Sequence, residues 1–115
     1  MKFNELKAEL KHIRFDTLRM DSDNYFEAVV VRDEVEKLKV RLEKFLGLSA
    51  YPSKDRLSSQ IEEAIEEFGG IRFDQSLYLR NEGKDTVFAM LWPWQDGCHT
   101  TVKIIHGVGK YKTLP

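Results

Sequence analysis

The side chains best able to do chemistry lie in the C-terminal part of the chain. Cys98 and His99 are neighbours, and His106 follows further on. We expect both histidines at an exposed loop or strand end. A cysteine–histidine nucleophile needs its two side chains within hydrogen-bond reach, but neighbours on a strand point to opposite faces. Cys98 and His106 would share a face only on one long strand, where they would lie about 27 Å apart. The spacing therefore predicts no catalytic residue and no cofactor, and it favours a role other than that of an enzyme.

Aromatic and basic side chains offer a binding surface instead. Trp94 lies in a predicted turn, and with Tyr78 and His99 it could line a pocket for a small ligand. Lys110 and Lys112 could contact nucleic-acid phosphates, although so few charges give only weak, salt-sensitive binding. The aromatic residues are not interleaved with basic ones along the chain, as a platform for single-stranded nucleic acid would require. These five residues are the candidate binding residues.

Several classes of protein and site are disfavoured. With Cys98 as its one cysteine, the chain can hold neither an internal disulfide nor a multi-cysteine zinc site. The run 107–110 lacks the spacing of a phosphate-binding loop. The longest apolar run, residues 87–94, is too short to span a bilayer, and charges in the first dozen residues argue against a secretory signal. We therefore expect no metal site, no membrane contact and a cytoplasmic location.

Size and charge describe one folded unit. The 115 residues include 18 basic and 19 acidic ones, for a net charge of -1, and 42% of the chain is hydrophobic. This length suits one domain, so we expect residues 1–115 to form a single domain, with residues 107–115 as a loose tail. The charge is uneven, with net −5 over residues 58–100 and net +3 over residues 101–115. Any binding of nucleic acid should therefore involve the tail or the sheet.

Hydrophobic periodicity predicts three helices. Apolar residues recur at helical spacing in three segments: residues 3–12, 33–46 and 54–68. Gly47 and the pair Gly69-Gly70 can end the second and third helices, because glycine readily takes the left-handed conformation that follows a helix. The acidic block within residues 62–67 is interpreted as the solvated face of the third helix.

The C-terminal half alternates apolar and polar residues, which predicts three antiparallel strands in a meander: residues 71–80, 86–92 and 100–106. A symmetric turn between the first two strands would place Leu79 opposite Phe88 and Leu77 opposite Met90. The same register places Tyr78 opposite Ala89 on the other face. The middle strand is therefore apolar on both of its sides.

Residues 13–32 allow two interpretations. In the first, residues 13–20 and 25–31 form a hairpin around turn-forming residues 21–24, and Phe15 and Thr17 share one of its faces. In the second, apolar residues at heptad-like spacing form one helix over residues 24–46. The β-branched run Val29–Val31 favours the hairpin, because branching at Cβ suits a strand.

The pattern as a whole predicts a small α+β domain. About three helices should pack on one face of a mostly antiparallel sheet of three to five strands. The second sheet face, which carries Tyr78 and Ala89, is either covered by another element or forms a contact surface. We expect a non-enzymatic interaction or regulatory domain that binds a protein partner or forms a homodimer through that face. The alternatives are a weak nucleic-acid-binding domain and a small ligand binder or enzyme with a pocket near Trp94 and His99.

Overall fold

Five antiparallel strands form one sheet. The computed structural model describes residues 2–51, 59–72, 74–82 and 85–108. The strands are β1 (Phe15–Asp21), β2 (Tyr25–Val31), β3 (Ser76–Glu82), β4 (Asp85–Pro93) and β5 (His99–Val108), and the helices are α1 (Lys2–Glu9), α2 (Val35–Leu46) and α3 (Ser59–Glu66). The strand order is β1-β2-β5-β4-β3. A 3-10 turn extends α1, and another precedes α2.

The predicted α+β class, antiparallel sheet and C-terminal meander are confirmed. Leu79 lies opposite Phe88 and Leu77 opposite Met90, in the register expected from the alternation. β1 and β2 form the hairpin rather than part of a long helix. β2 also pairs along its whole length with β5, and this pairing joins the hairpin to the meander.

One face of the sheet packs against α1 and α2, and we call it the α1–α2 face. Leu6 on α1 is fully buried there, as are Leu38 and Leu42 at helical spacing on α2. They cover Tyr78, Ala89 and Leu91 of the sheet. This is the second face of the sequence prediction, and the helices cover it. The contact surface that we expected there for self-association is therefore not exposed.

The opposite face packs against α3, and we call it the α3 face. Ile61 and Ile65 of α3 cover Leu77, Phe88 and Met90. This distribution differs from the prediction, which placed all the helices on one face. The physical reason is that β4 is apolar on both sides, so both faces of the sheet need a cover.

After α2, the chain passes along the outer edge of β3. After Gly47, whose φ of +87° ends α2, the backbone of residues 50–51 bonds to Leu77 of β3. Ala50 N–H donates to Leu77 O at 2.7 Å, and Leu77 N–H donates to Tyr51 O at 2.8 Å. This bridge protects part of the β3 edge from pairing with another strand.

β1 forms the other edge of the sheet and is irregular. Its register with β2 shifts between Phe15 and Thr17 and again between Leu18 and Met20. We predicted that Phe15 and Thr17 share a face, but the first shift turns Thr17 to the α3 face. Leu18 lies on the α1–α2 face, whereas Arg19 reaches Glu27 and Trp94 on the α3 face. β1 thus supplies side chains to two separate surfaces.

Candidate functional site

The turn between β4 and β5 is built around the carboxylate of Asp96. Its Oδ1 accepts the backbone N–H of Cys98 at 2.8 Å and that of His99 at 3.1 Å. Gly97 has a φ of +71°, which a glycine adopts without strain. The hydrogen bond from the Cys98 backbone, followed by that from the His99 side chain, lowers the pKa of Asp96. An ionised Asp96 therefore holds the turn in one conformation.

The ring of His99 lies between the carboxylates of Asp96 and Asp16. Its Nδ1–H donates to Asp96 Oδ2 at 2.6 Å, and an ionised carboxylate requires that this nitrogen carries the proton. Its Nε2 lies 3.9 Å from Asp16 Oδ2 of β1. The hydrogen bond to Asp96 orients the ring, which packs against Trp94 with 34° between the two ring planes.

Trp94 is 38% exposed and yet held by several contacts. Its Nε1–H donates to Thr101 Oγ1 at 2.8 Å, and its backbone N–H donates to His99 O at 2.8 Å. The centroids of the Trp94 and His99 rings lie 4.8 Å apart, and the Arg19 guanidinium lies 5.7 Å from the Trp94 ring centroid. We call Arg19, Trp94, Asp96, His99 and Thr101 the Trp94 surface. It presents a large aromatic side chain in a fixed orientation.

A cavity of about 320 Å³ adjoins the Trp94 surface at the end of the sheet. Trp94 and His99 line it together with Cys98, with Arg32 of the 3-10 turn before α2 and with Glu36 of the first turn of α2. The cavity carries charges of both signs beside an indole and an exposed thiol. It is large enough to accept a side chain of a partner or part of a small ligand.

The Glu27 carboxylate on the α3 face pairs with Arg19 of the Trp94 surface. Glu27 accepts a hydrogen bond from the Tyr25 hydroxyl at 2.5 Å and one from Arg19 at 3.3 Å. Burial opposes the ionisation of Glu27, but these hydrogen bonds and the nearby positive charges outweigh it and lower the pKa of Glu27. Burial first, and then Glu27, raises the pKa of Tyr25. Glu27 is therefore a charged anchor for Arg19.

A basic side chain lies against each of the two tryptophans. The Lys103 ammonium lies 3.5 Å from the Trp92 ring centroid and donates to Phe68 O at 3.2 Å. Burial lowers the pKa of Lys103. With Arg19 against Trp94, the α3 face carries two basic–aromatic pairs. Both pairs join residues from different strands or turns, so they do not appear as interleaving along the chain.

The structure brings together two of the five predicted binding residues. Trp94 and His99 line one cavity. Tyr78 is only 3% exposed on the α1–α2 face, where burial raises its pKa, so it does not line that cavity. Lys110 and Lys112 lie outside the described residues.

The other side chains with possible reactivity, His106 and Cys98, lie at separate places in the sheet and its turn. We expected His106 at an exposed strand end, but it is buried and its ring stacks on Phe3 with centroids 5.4 Å apart. Cys98 is exposed, and within residues 2–51, 59–72, 74–82 and 85–108 no hydrogen bond joins its thiol to the ring of His99. In the same ranges, no three His, Cys, Asp or Glu side chains are placed to hold a metal ion. Among these candidates, the geometry fixes the orientation of Trp94.

Three residues of the Trp94 surface were not among the predicted binding residues. The signal for Asp96 is present in the sequence, since an aspartate before glycine commonly accepts backbone N–H groups in its own turn. Arg19 and Thr101 carry no such signal. Their position beside Trp94 depends on the order of β1, β2 and β5 in the sheet.

Comparison with known proteins gives no match among protein-family models, curated protein sequences or solved structures. In the part of the chain that the structure describes, no helix combines the length and the apolar character needed to cross a bilayer.

Proposed function

We propose that this protein is a non-enzymatic interaction domain that binds a protein partner through the Trp94 surface. The observation that carries the proposal is a partly exposed tryptophan fixed by hydrogen bonds at its indole and its backbone. The free thiol of Cys98 is compatible with a reducing compartment such as the cytoplasm.

A fixed tryptophan suits binding for an energetic reason. Ordering a mobile side chain at an interface costs about 0.5–1.5 kcal/mol, and the contacts of Trp94 already restrict its rotation. Tryptophan and arginine are also enriched among the residues that dominate binding energies at interfaces. Trp94 flanked by Arg19, with a cavity alongside, has the composition of such a centre.

The proposed partner is another protein rather than a second copy docked on a sheet face. The apolar residues of β4 lie under helices on both faces, so they do not offer the bare surface that self-association through a face would need. The Trp94 surface lies at the exposed end of the α3 face, where the β4–β5 turn meets β1.

Affinity capture with the immobilised full chain tests the proposal. We expect a partner that is retained by the wild-type chain and depleted about tenfold or more by Trp94→Ala, as for an interface hot spot. Leu48→Ala is the control, because Leu48 is 83% exposed and does not line the cavity beside Trp94. Circular dichroism melts establish that both variants remain folded, and the recovered partner is then purified and titrated by calorimetry. Equal affinity of the purified partner for the wild type and Trp94→Ala would refute the proposal.

A second candidate function is weak binding of single-stranded nucleic acid. The specific observation in its favour is the pair of basic–aromatic contacts, Arg19 with Trp94 and Lys103 with Trp92. Base stacking and phosphate contacts use these same side-chain types. The negative charge of Glu27 between the two basic residues opposes phosphate binding, so we rank this function below protein binding.

Titration with a short oligothymidylate or oligouridylate at low salt tests the second function. We expect micromolar or weaker binding that shifts the indole signals of Trp92 and Trp94 and falls steeply with salt. The absence of any chemical-shift change at about 1 mM oligonucleotide would remove this candidate.

A further inference from the structure

A groove of about 430 Å³ runs between α1 and β1 on the α1–α2 face. Its buried floor is formed by Leu10, Ile13 and Phe26, which also belong to the hydrophobic core. Leu18 of β1 stands at its rim and is 56% exposed. Leu18 therefore extends the apolar surface of the groove, and contiguous apolar patches rimmed by polar residues mark interaction sites.

Pairing with another strand is a poor explanation for the exposed leucine. β1 is an edge strand, but two register shifts interrupt it within seven residues. Bulges of this kind twist an edge away from further pairing, and charged residues such as Asp16 and Arg19 discourage it further. The exposure of Leu18 is better explained by the groove beside it than by the backbone of the edge.

The charges at the rim of the groove are not balanced. The Lys7 ammonium pairs with Asp21 at 2.5 Å and donates to Ser22 O at 2.9 Å, so these two charges neutralise each other. Lys11 also lines the groove, is exposed, and has no ion-pair partner among the residues that the structure describes. The rim therefore carries an excess positive charge next to an apolar floor.

We propose that this groove docks an acidic amphipathic helix of a partner protein. Apolar side chains at positions i and i+4 of the helix fill the groove over Leu10 and Phe26 and cover Leu18, while a carboxylate of the helix meets Lys11. A groove lined by apolar side chains, with the Lys11 ammonium at its rim, matches this chemistry. The groove is separate from the Trp94 surface, because Leu18 and Arg19 lie on opposite faces of the sheet. The proposal does not rest on the proposed function of Trp94.

Fluorescence anisotropy with two designed peptides tests the proposal on the full chain. The first peptide is a labelled amphipathic helix with leucine at i and i+4 and glutamate on its flanks, and the second has lysine in place of every glutamate. We expect the acidic peptide to bind with a dissociation constant of tens of micromolar and the basic peptide about tenfold more weakly. Lys11→Glu should reverse this preference for the acidic peptide. Leu18→Ser should lower the affinity for the acidic peptide about tenfold.

Matched controls separate the groove from general surface effects. Lys39→Glu makes the same charge change on α2, at a residue that does not line the groove, and Leu48→Ser removes another exposed leucine. Both should change the affinity by less than about twofold, as should Trp94→Ala. Thermal melts verify that each variant is folded.

Several outcomes would overturn the proposal. Equal binding of the two peptides would show that Lys11 does not select charge, and no saturation by about 1 mM acidic peptide would show that the groove does not dock helices. An unchanged affinity in Leu18→Ser would place the peptide elsewhere. Sedimentation that shows a dimer dissolved by Leu18→Ser would make a second copy of the chain the occupant. Stoichiometric displacement of the peptide by dodecanoate at lower concentration would make the occupant a small amphiphile.

Discussion

Replacing Gly69 with alanine is expected to lower the free energy of unfolding more than a turn glycine alone would explain. Gly69 follows α3 with a φ of +106°, and a Cβ built there would lie 2.9 Å from Cζ2 of Trp92 and closer still to Cη2. Gly97 also has a positive φ, of +71°, but a Cβ there would meet nothing within 4 Å. The pair therefore separates the cost of backbone conformation from the cost of the clash.

The magnitude follows from two contributions. A residue with a Cβ in the left-handed region costs about 1–2 kcal/mol, and both variants share this cost. Relieving the clash at Gly69 requires Trp92 to move, and overpacking of this kind costs about 1–3 kcal/mol more. Trp92 packs against the cluster that α3 forms with the sheet, and Lys103 lies over its ring, so a movement of Trp92 disturbs existing contacts. We expect a loss of about 2–5 kcal/mol for Gly69→Ala and about 1–2 kcal/mol for Gly97→Ala.

Urea unfolding followed by far-ultraviolet circular dichroism measures both variants. The slope of the unfolding free energy against urea concentration should equal that of the wild type. A shift in the urea midpoint then reports a change in stability. The double variant Gly69→Ala with Trp92→Phe should recover part of the loss, because a smaller ring can accommodate the new methyl group, and coupling of about 0.5–3 kcal/mol is usual for residues in contact. The reasoning is refuted if Gly69→Ala and Gly97→Ala agree within about 0.5 kcal/mol, or if Trp92→Phe gives no recovery.

Three further predictions concern the Trp94 surface. Thr101→Val removes the acceptor of the Trp94 indole N–H and should cost about 1 kcal/mol, with Thr101→Ser close to the wild type in the same urea titration. Because the pKa of Asp96 is lowered in the folded protein, its ionised form adds stability that is present above about pH 4 and lost as the pH falls through the folded pKa. The stability difference between the wild type and Asp96→Asn should therefore narrow as thermal melts are taken below that pH, and a constant difference would contradict the assignment. Arg19→Ala should change stability by less than about 1 kcal/mol, because the Arg19–Glu27 pair is partly exposed. The same variant should nevertheless weaken partner binding measured by calorimetry, and unaltered binding would count against a role for Arg19.

The local alternation of apolar and polar residues was sufficient to predict the strands and much of their register. Alternation and a symmetric turn led to Leu79 opposite Phe88 and Leu77 opposite Met90, because a hairpin leaves little freedom once its turn is placed. The hairpin over residues 13–32 was the preferred of two interpretations. Its bulges were not predicted, since no residue type marks them, and for that reason Thr17 was placed on the wrong face.

The candidate site was only partly accessible from sequence. Trp94 and His99 are five residues apart across one turn, so local structure is enough to bring them together. Tyr78 was grouped with them on residue type, but strand alternation turns it to the α1–α2 face. Lys110 and Lys112 remain predictions.

The sequence by itself determined the class of the fold, the approximate helices and strands, and the doubly apolar character of β4. All of these depend on residue spacing over a few turns or strand repeats, where the physics is local. Tertiary structure alone decided which face each helix covers, and it placed Arg19 of β1 against Trp94 after β4. Those contacts join residues far apart in the chain, and they follow from the pairing of β2 with β5. That pairing is selected by burial over the whole sheet and is not encoded in any one segment.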